Sequence, residues 1–289
     1  VGETIAAPEL HWEAQDFERK LAFKGAKYTG TNTFLTFCMG LAASVAFYLA
    51  LVPFMDTPVG QIFYRRGIVP YPITLLSFWS LAILLVKWRK LCLQRRALEF
   101  SIMPDDPSFV LSPLTADEAL RRIRQLADNP KHFLLLNRLE RCLSNLKNLG
   151  RVADVDDTLR SQAENDENYM ESTYTLAKGF IWAIPVFGFI GTVMGLSMAI
   201  GGFGGVLSQG SELGQLREAL RNVTIGLSVA FDTTFIGLVG AVTIQLLLNG
   251  LKKKEEEFLD ECSDYCHKHI VSKLRLLGPD EHLAAGAQP

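Results

Sequence analysis

"WAIPVFGFIGTVMGLSMAIGGFGG", residues 182–205, is apolar enough to cross a membrane, yet it holds one proline, one threonine and seven glycines. A plain anchor would be built of leucine, isoleucine and valine. In lipid, helices gain little from burying leucine against leucine, because the solvent is equally apolar; small residues instead let two backbones approach closely. The stretch therefore reads as a spanning helix made to meet another surface. Gly188, Gly191, Thr192, Gly195 and Ala199 fall on one stripe at steps of three and four. A second apolar run, residues 223–251, repeats the pattern with Gly226, Ala230, Thr234, Gly237 and Ala241. The two stripes are expected to pack against each other or against another protein. Pro185 has no N–H to donate, so a kink is expected just before its stripe.

Two further runs, 33–52 and 69–86, join 180–202 and 223–251 to make four candidate spans. Each is close to or above the ~20 residues that cross about 30 Å of hydrocarbon. The fourth is long enough to tilt or protrude. The chain of 289 residues is 48% hydrophobic with a formal net charge of -2, and its apolar runs alternate with charged blocks. That mosaic describes a membrane protein with substantial soluble parts. The balanced charge gives no support for nucleic-acid binding.

Lysine and arginine orient the spans. Arg19, Lys20, Lys24 and Lys27 precede the first; Lys87, Arg89, Lys90, Arg95 and Arg96 follow the second; Lys252, Lys253 and Lys254 follow the fourth. The intervening loops carry only Arg65 and Arg66, then Arg217 and Arg221. Both termini and the middle domain are expected in the cytoplasm. Trp79, Trp88 and Trp182 are expected at or near span ends. The first 30 residues contain Glu3, Glu9, Glu13, Asp16 and Glu18 and show no apolar core of a signal peptide. The five cysteines are scattered, which argues against a disulfide framework.

The expected fold class is all-α and polytopic, in five segments. They are a cytoplasmic N-terminal segment 1–32, a transmembrane hairpin 33–87, a helical cytoplasmic domain 88–178, spans three and four at 179–251, and a cytoplasmic C-terminal helix and tail 252–289. In the middle domain Thr115 and Glu118 have the spacing of a capping box. Pro130 opens another helix with Phe133, Leu136, Leu139, Leu143 and Leu146 along one side, and Gly150 breaks it. From Val152 no breaker intervenes before Pro185, so one helix is expected to rise into span three. Span four is expected to continue as a helix until Gly278 and Pro279. Strand signals are absent.

Asp232 lies well inside span four. An ionisable group there is expensive in lipid and is a functional-site hypothesis by default. It stands two residues from Thr234, about 200° away around an ideal helix, so the two cannot share one narrow path. Asp232 serves either ion transfer or a structural polar contact. The threonine hydroxyls serve a ligand or bond back to their own helices.

These residues resemble a known family. "PVFGFIGTVMG", residues 185–195, is similar to the third-span signature of the MotA/TolQ/ExbB proton-channel family, where a proline precedes a pore-facing threonine by seven residues. "TTFIGL", residues 233–238, followed by Asn249, resembles that family's last span. The resemblance implies that Thr192 and Thr234 line an ion path and that Pro185 is the conformationally important proline. It implies a pore-packing role for Gly188, Gly191, Gly195, Ala199, Gly226, Ala230 and Gly237. The TolQ and ExbB branches carry a glutamate five residues before the last-span threonine; that position is Val229 here, and Asp232, one turn further on, is the candidate substitute. The resemblance further implies a pentamer in a bacterial inner membrane around a dimer of a single-span partner of the MotB, TolR or ExbD kind. That partner bears an intramembrane aspartate, and protons or sodium ions drive its movement.

A scaffold of the same fold without ion flow is the alternative. "CSDYCHKH", residues 262–269, places Cys262, Cys266, His267 and His269 close together, but their spacing matches no standard zinc pattern. Residues 201–205 follow a span rather than a strand and lack the lysine and hydroxyl of a nucleotide loop. No enzymatic activity, cofactor or bound metal is expected.

Overall fold

A computed structural model describes residues 10–20, 23, 25–100, 102, 110–146, 152–207 and 213–274. Gly150, the Gly278–Pro279 pair and the acidic positions before Leu10 lie outside them. The helices are α1 (Trp12–Gln15), α2 (Phe17–Lys20), α3 (Thr33–Leu51), α4 (Pro58–Tyr64), α5 (Pro70–Arg96), α6 (Pro113–Leu126), α7 (Leu134–Asn145), α8 (Val152–Ser172), α9 (Thr175–Leu207) and α10 (Leu213–His269). Among the described residues, β pairing is confined to the isolated bridges Leu10–Ala127 and Leu111–Leu274. The all-α expectation holds. Among the described residues, four helical stretches are long and apolar enough to cross a membrane: Thr33–Phe54, Pro70–Arg96, Val152–Gly201 and Arg217–Lys273.

The chain divides into two compact units. One comprises Thr33–Val86 and Tyr174–Leu251; the other comprises Val1–Asn32, Lys87–Thr173 and Lys252–Pro289. In the first, α3 crosses α5 where Gly40 meets the backbone of Trp79; a Cβ at Gly40 would lie 2.5 Å from Trp79 Cα. The Trp79 ring packs on Phe37 and Phe180, and its Nε1 donates to Thr36 Oγ1 at 3.2 Å. Trp79 is therefore a mid-helix anchor rather than a boundary residue. The connection from α3 to α5 carries its own contacts. Thr57 Oγ1 accepts from Gly60 N at 3.2 Å to cap α4, Arg65 pairs with Asp56 at 2.9 Å, and Gly67 (φ 83°) turns the chain into α5. That left-handed backbone suits glycine.

The second unit corrects several boundaries. α6 is capped by Ser112, not Thr115. Ser112 N donates to Thr115 Oγ1 at 2.8 Å, and Thr115 N donates back to Ser112 Oγ at 3.4 Å. Pro113, with its φ already helical, fits the first helical position. Phe133, Leu134, Leu135, Leu136, Leu139, Leu143 and Leu146 are all buried, so α7 is apolar well beyond one side. The expected helix into span three runs as one stretch, Val152–Gly201, with a two-residue turn at Thr173 and Tyr174. There Thr173 Oγ1 donates to Met170 O and Ser172 Oγ to Tyr169 O, both at 2.6 Å. The Tyr169 carbonyl also keeps its ordinary helical donor, Thr173 N, at 3.3 Å. At the other end, α10 stops at His269, well before Gly278; Leu111 N donates to Lys273 O at 2.8 Å and draws the chain into a bridge.

This unit also buries charge. Lys90 Nζ donates to Glu18 Oε2 and to Gly30 O, each at 2.7 Å, and lies 3.9 Å from Asp16 Oδ1. Lys87 Nζ donates to Glu255 Oε1 at 3.3 Å and to Thr29 Oγ1 at 3.4 Å. Asp16, Glu18, Lys87, Lys90 and Glu255 are all buried.

Candidate functional site

α9 and α10 run antiparallel and touch along their small residues. Gly188 faces the backbone at Thr233 and Thr234, Gly191 faces the side chain of Thr233, Gly195 faces Gly226 and Ala230, and Gly226 in turn faces Ala199. A Cβ on Gly195 would lie 2.5 Å from Gly226 O, and one on Gly226 would lie 2.6 Å from Gly195 O. Real side chains do not approach carbonyl oxygens so closely, so only glycine fits at either place. Of the two partners left open by the sequence, each stripe has the other stripe of the same chain. α9 continues through Pro185, whose missing N–H leaves the Ile181 carbonyl without its ordinary helical donor.

The buried line on α10 runs through Gly226, Ala230, Thr233, Gly237 and Ala241. It thus passes through Thr233, which residue type alone does not single out, rather than Thr234. Thr233 Oγ1 donates to Val229 O at 2.8 Å, and the Thr233 side chain, its hydroxyl oxygen nearest, fills the space over Gly191. Steps of three and four lead from Ala230 to Gly237 through either 233 or 234, so periodicity alone does not separate the two.

Thr192 and Thr234 stand beside the buried line and meet each other. Their hydroxyls share a short hydrogen bond. Thr192 Oγ1 also lies 3.2 Å from Ala230 O and 3.4 Å from Gly188 O. Thr234 Oγ1 lies 3.2 Å from Gly188 O and 3.1 Å from Ala230 O. The two hydroxyls bring two protons to a cluster of four oxygens. The cluster is rich in acceptors, carries no formal charge, and is only partly buried. It can hand a proton between hydroxyls by rotation, or offer oxygen ligands to a small cation.

Asp232 is not joined to this cluster by any hydrogen bond or ion pair among the described residues. Its Oδ2 lies 2.6 Å from Arg66 Nε and accepts from Ser228 Oγ at 3.4 Å. The Arg66 Nε–H does not point along the short separation, so the contact is an ion pair rather than an aligned hydrogen bond. Thr243 Oγ1 bonds back to Val239 O at 2.8 Å on an exposed face.

In the other unit, Cys142, Cys262 and Cys266 are buried. Burial pushes the Cys142 thiol up to about 12, and Cys266 adds to the rise. Among the described residues no group of three or more His, Cys, Asp and Glu could hold a metal ion.

Fold and site together define an all-α polytopic membrane protein in which two glycine-rich helices bring a pair of hydroxyls into one oxygen cluster. Residues 127–264 match the MotA/TolQ/ExbB proton channel family. The match takes in both threonines and Asp232, and leaves out the α3–α5 hairpin with Arg66. Comparison with curated proteins and with solved structures gives no match.

Proposed function

We propose that the chain is the ring-forming subunit of an ion-driven motor in a bacterial inner membrane. Five copies surround a dimer of a single-span partner, with both chain termini in the cytoplasm. Protons or sodium ions pass between an aspartate of that partner and the cluster of Thr192 and Thr234, and the partner moves as they do. The observation that carries this reading is the meeting of the two hydroxyls with the Gly188 and Ala230 carbonyls. Backbone carbonyl oxygens at membrane depth hold sodium ions or protons in transporters, and here the two hydroxyls stand beside such carbonyls. Spans three and four, 179–251, are the channel-forming segment, and the α3–α5 hairpin lies toward lipid. Pro185, Gly188, Gly191, Gly195, Ala199, Gly226, Ala230 and Gly237 set the spacing that lets the hydroxyls meet. Asp232 is the third candidate on the ion path, available once its arginine leaves.

One observation favours a scaffold without flux: each threonine also has a carbonyl of its own helix within reach. The test is proton uptake by liposomes holding the chain and its co-purified partner, with native mass of the ring as the assembly control. Thr192→Val and Thr234→Val keep shape and lose an oxygen; each should abolish uptake with the ring intact. Thr→Ser at either site should retain much of it, and Thr243→Val should be mild. Undiminished uptake through the Thr192→Val/Thr234→Val double variant would leave the scaffold reading standing.

A further inference from the structure

The α3–α5 connection ends in a device that the ion path alone does not explain. An ionisable residue within a spanning helix is ordinarily paired or turned toward water. Asp232 is paired, and its partner comes from a different part of the chain. Arg66 sits between Arg65, which is tied to Asp56 at 2.9 Å, and Gly67, whose φ of 83° reverses the chain. Just before them, Tyr64 Oη donates to the Tyr48 carbonyl and locks α4 to α3. The guanidinium thus reaches from the turn between α4 and α5 to a carboxylate on α10. The side chains keep 19% and 26% of their exposure, so the pair is neither sealed nor freely hydrated. Ser228, one turn away on α10, gives the carboxylate a second partner at 3.4 Å. The poor alignment of Nε–H leaves the pair held by charge more than by hydrogen-bond geometry, which suits a contact that opens and closes.

We propose that Arg66 is a positioning residue that latches the α3–α5 connection to α10 by occupying Asp232, so that Asp232 exchanges ions only while Arg66 is withdrawn. The proposal rests on the ion-channel reading above and deepens it. A carboxylate engaged by a guanidinium is not an open acceptor for a passing ion. Withdrawal of Arg66 frees it, and return of Arg66 displaces the ion. Closed, the latch makes a ring without its partner tight.

The experiment measures proton leak through partner-free rings in liposomes, corrected for ring number by native mass. Arg66→Gln should raise leak about tenfold, within the range usual for coupling between two states. Arg66→Gln/Asp232→Asn should return it to the wild-type level, because the freed acceptor is gone. Arg66→Lys keeps the charge without the forked contact and should lie between. Tight Arg66→Gln rings overturn the latch, and so does equal leak in the single and double variants, since the leak then does not pass through Asp232. Should Arg66→Gln fail to assemble, Arg66→Lys decides: leak no higher than wild type overturns the proposal. Native vesicles carrying chain and partner are measured alongside. No flux there sinks the channel reading itself, whereas flux there with tight Arg66→Gln rings sinks the latch alone.

Discussion

Gly195 and Gly226 hold each other's place: a side chain on either would run into the other's carbonyl oxygen. Gly195→Ala should therefore force α9 and α10 apart and destabilise the chain by about 1–3 kcal/mol, the usual range for overpacking a tight contact. A methyl group at Gly201 would meet nothing within 4 Å, so Gly201→Ala serves as the control. Thermal unfolding of the detergent-purified chain reads both, and equal midpoints for the two variants would deny the close contact. The glycine rows are readable from sequence because steps of three and four define a helix face without knowledge of the partner. Thr233 cannot be separated from Thr234 on residue type, since adjacent hydroxyls offer the same chemistry. What separates them is which helix side the neighbouring backbone reaches. Arg66 is legible only as a loop charge, because an ion pair distant in sequence leaves no local pattern.

Elements follow from the sequence where apolar runs are long, and depart from it where a few polar side chains set the ends. The start of α6 lies at Ser112 because Pro113 supplies a ready helical φ and Thr115 closes the reciprocal pair. Ser112→Ala should remove one side of that cap and cost up to about 1 kcal/mol, toward the low end because its bond to Thr115 N is long. Amide hydrogen exchange is the direct readout: Thr115 N–H should exchange faster, and unchanged protection would place the functional cap elsewhere. The turn at Thr173 escapes a sequence reading for a related reason. Serine and threonine are ordinary inside helices, and their back-bonding to Tyr169 and Met170 accompanies the two-residue turn within the Val152–Gly201 stretch.

At the scale of the whole molecule, the feature least visible in the sequence is the buried charge between the N-terminal segment, α5 and the far end of α10. Lysines after a span read as surface charges by rule, yet Lys87 and Lys90 are buried. Asp16 faces Lys90, Glu18 and Arg19; burial raises its carboxyl above the usual range, and Lys90 opposes the rise. A carboxyl raised in the folded state favours folding while protonated. Stability should thus decline as pH climbs from the ordinary carboxylate range through the raised value of Asp16. Asp16→Asn should flatten that decline in denaturant titrations of the full chain from mildly acid to neutral pH, and an unchanged slope would remove Asp16 from the account.

The same charges set an order of manufacture. Glu18 leaves the ribosome before Lys90, so that pair can close as soon as the lysine appears. Lys87 must wait for Glu255, 168 residues later. At ordinary rates of synthesis that interval is about 8–34 seconds. Throughout it Lys87 lacks the carboxylate to which its ammonium donates. Residues 87–173 therefore cannot reach their final packing around Lys87 until both glycine-rich helices have been made. The fourth membrane helix carries, just beyond its apolar run, the residue that permits closure. A nascent chain halted before Glu255 should remain open to protease at this place, and one halted just beyond the α10 end should not.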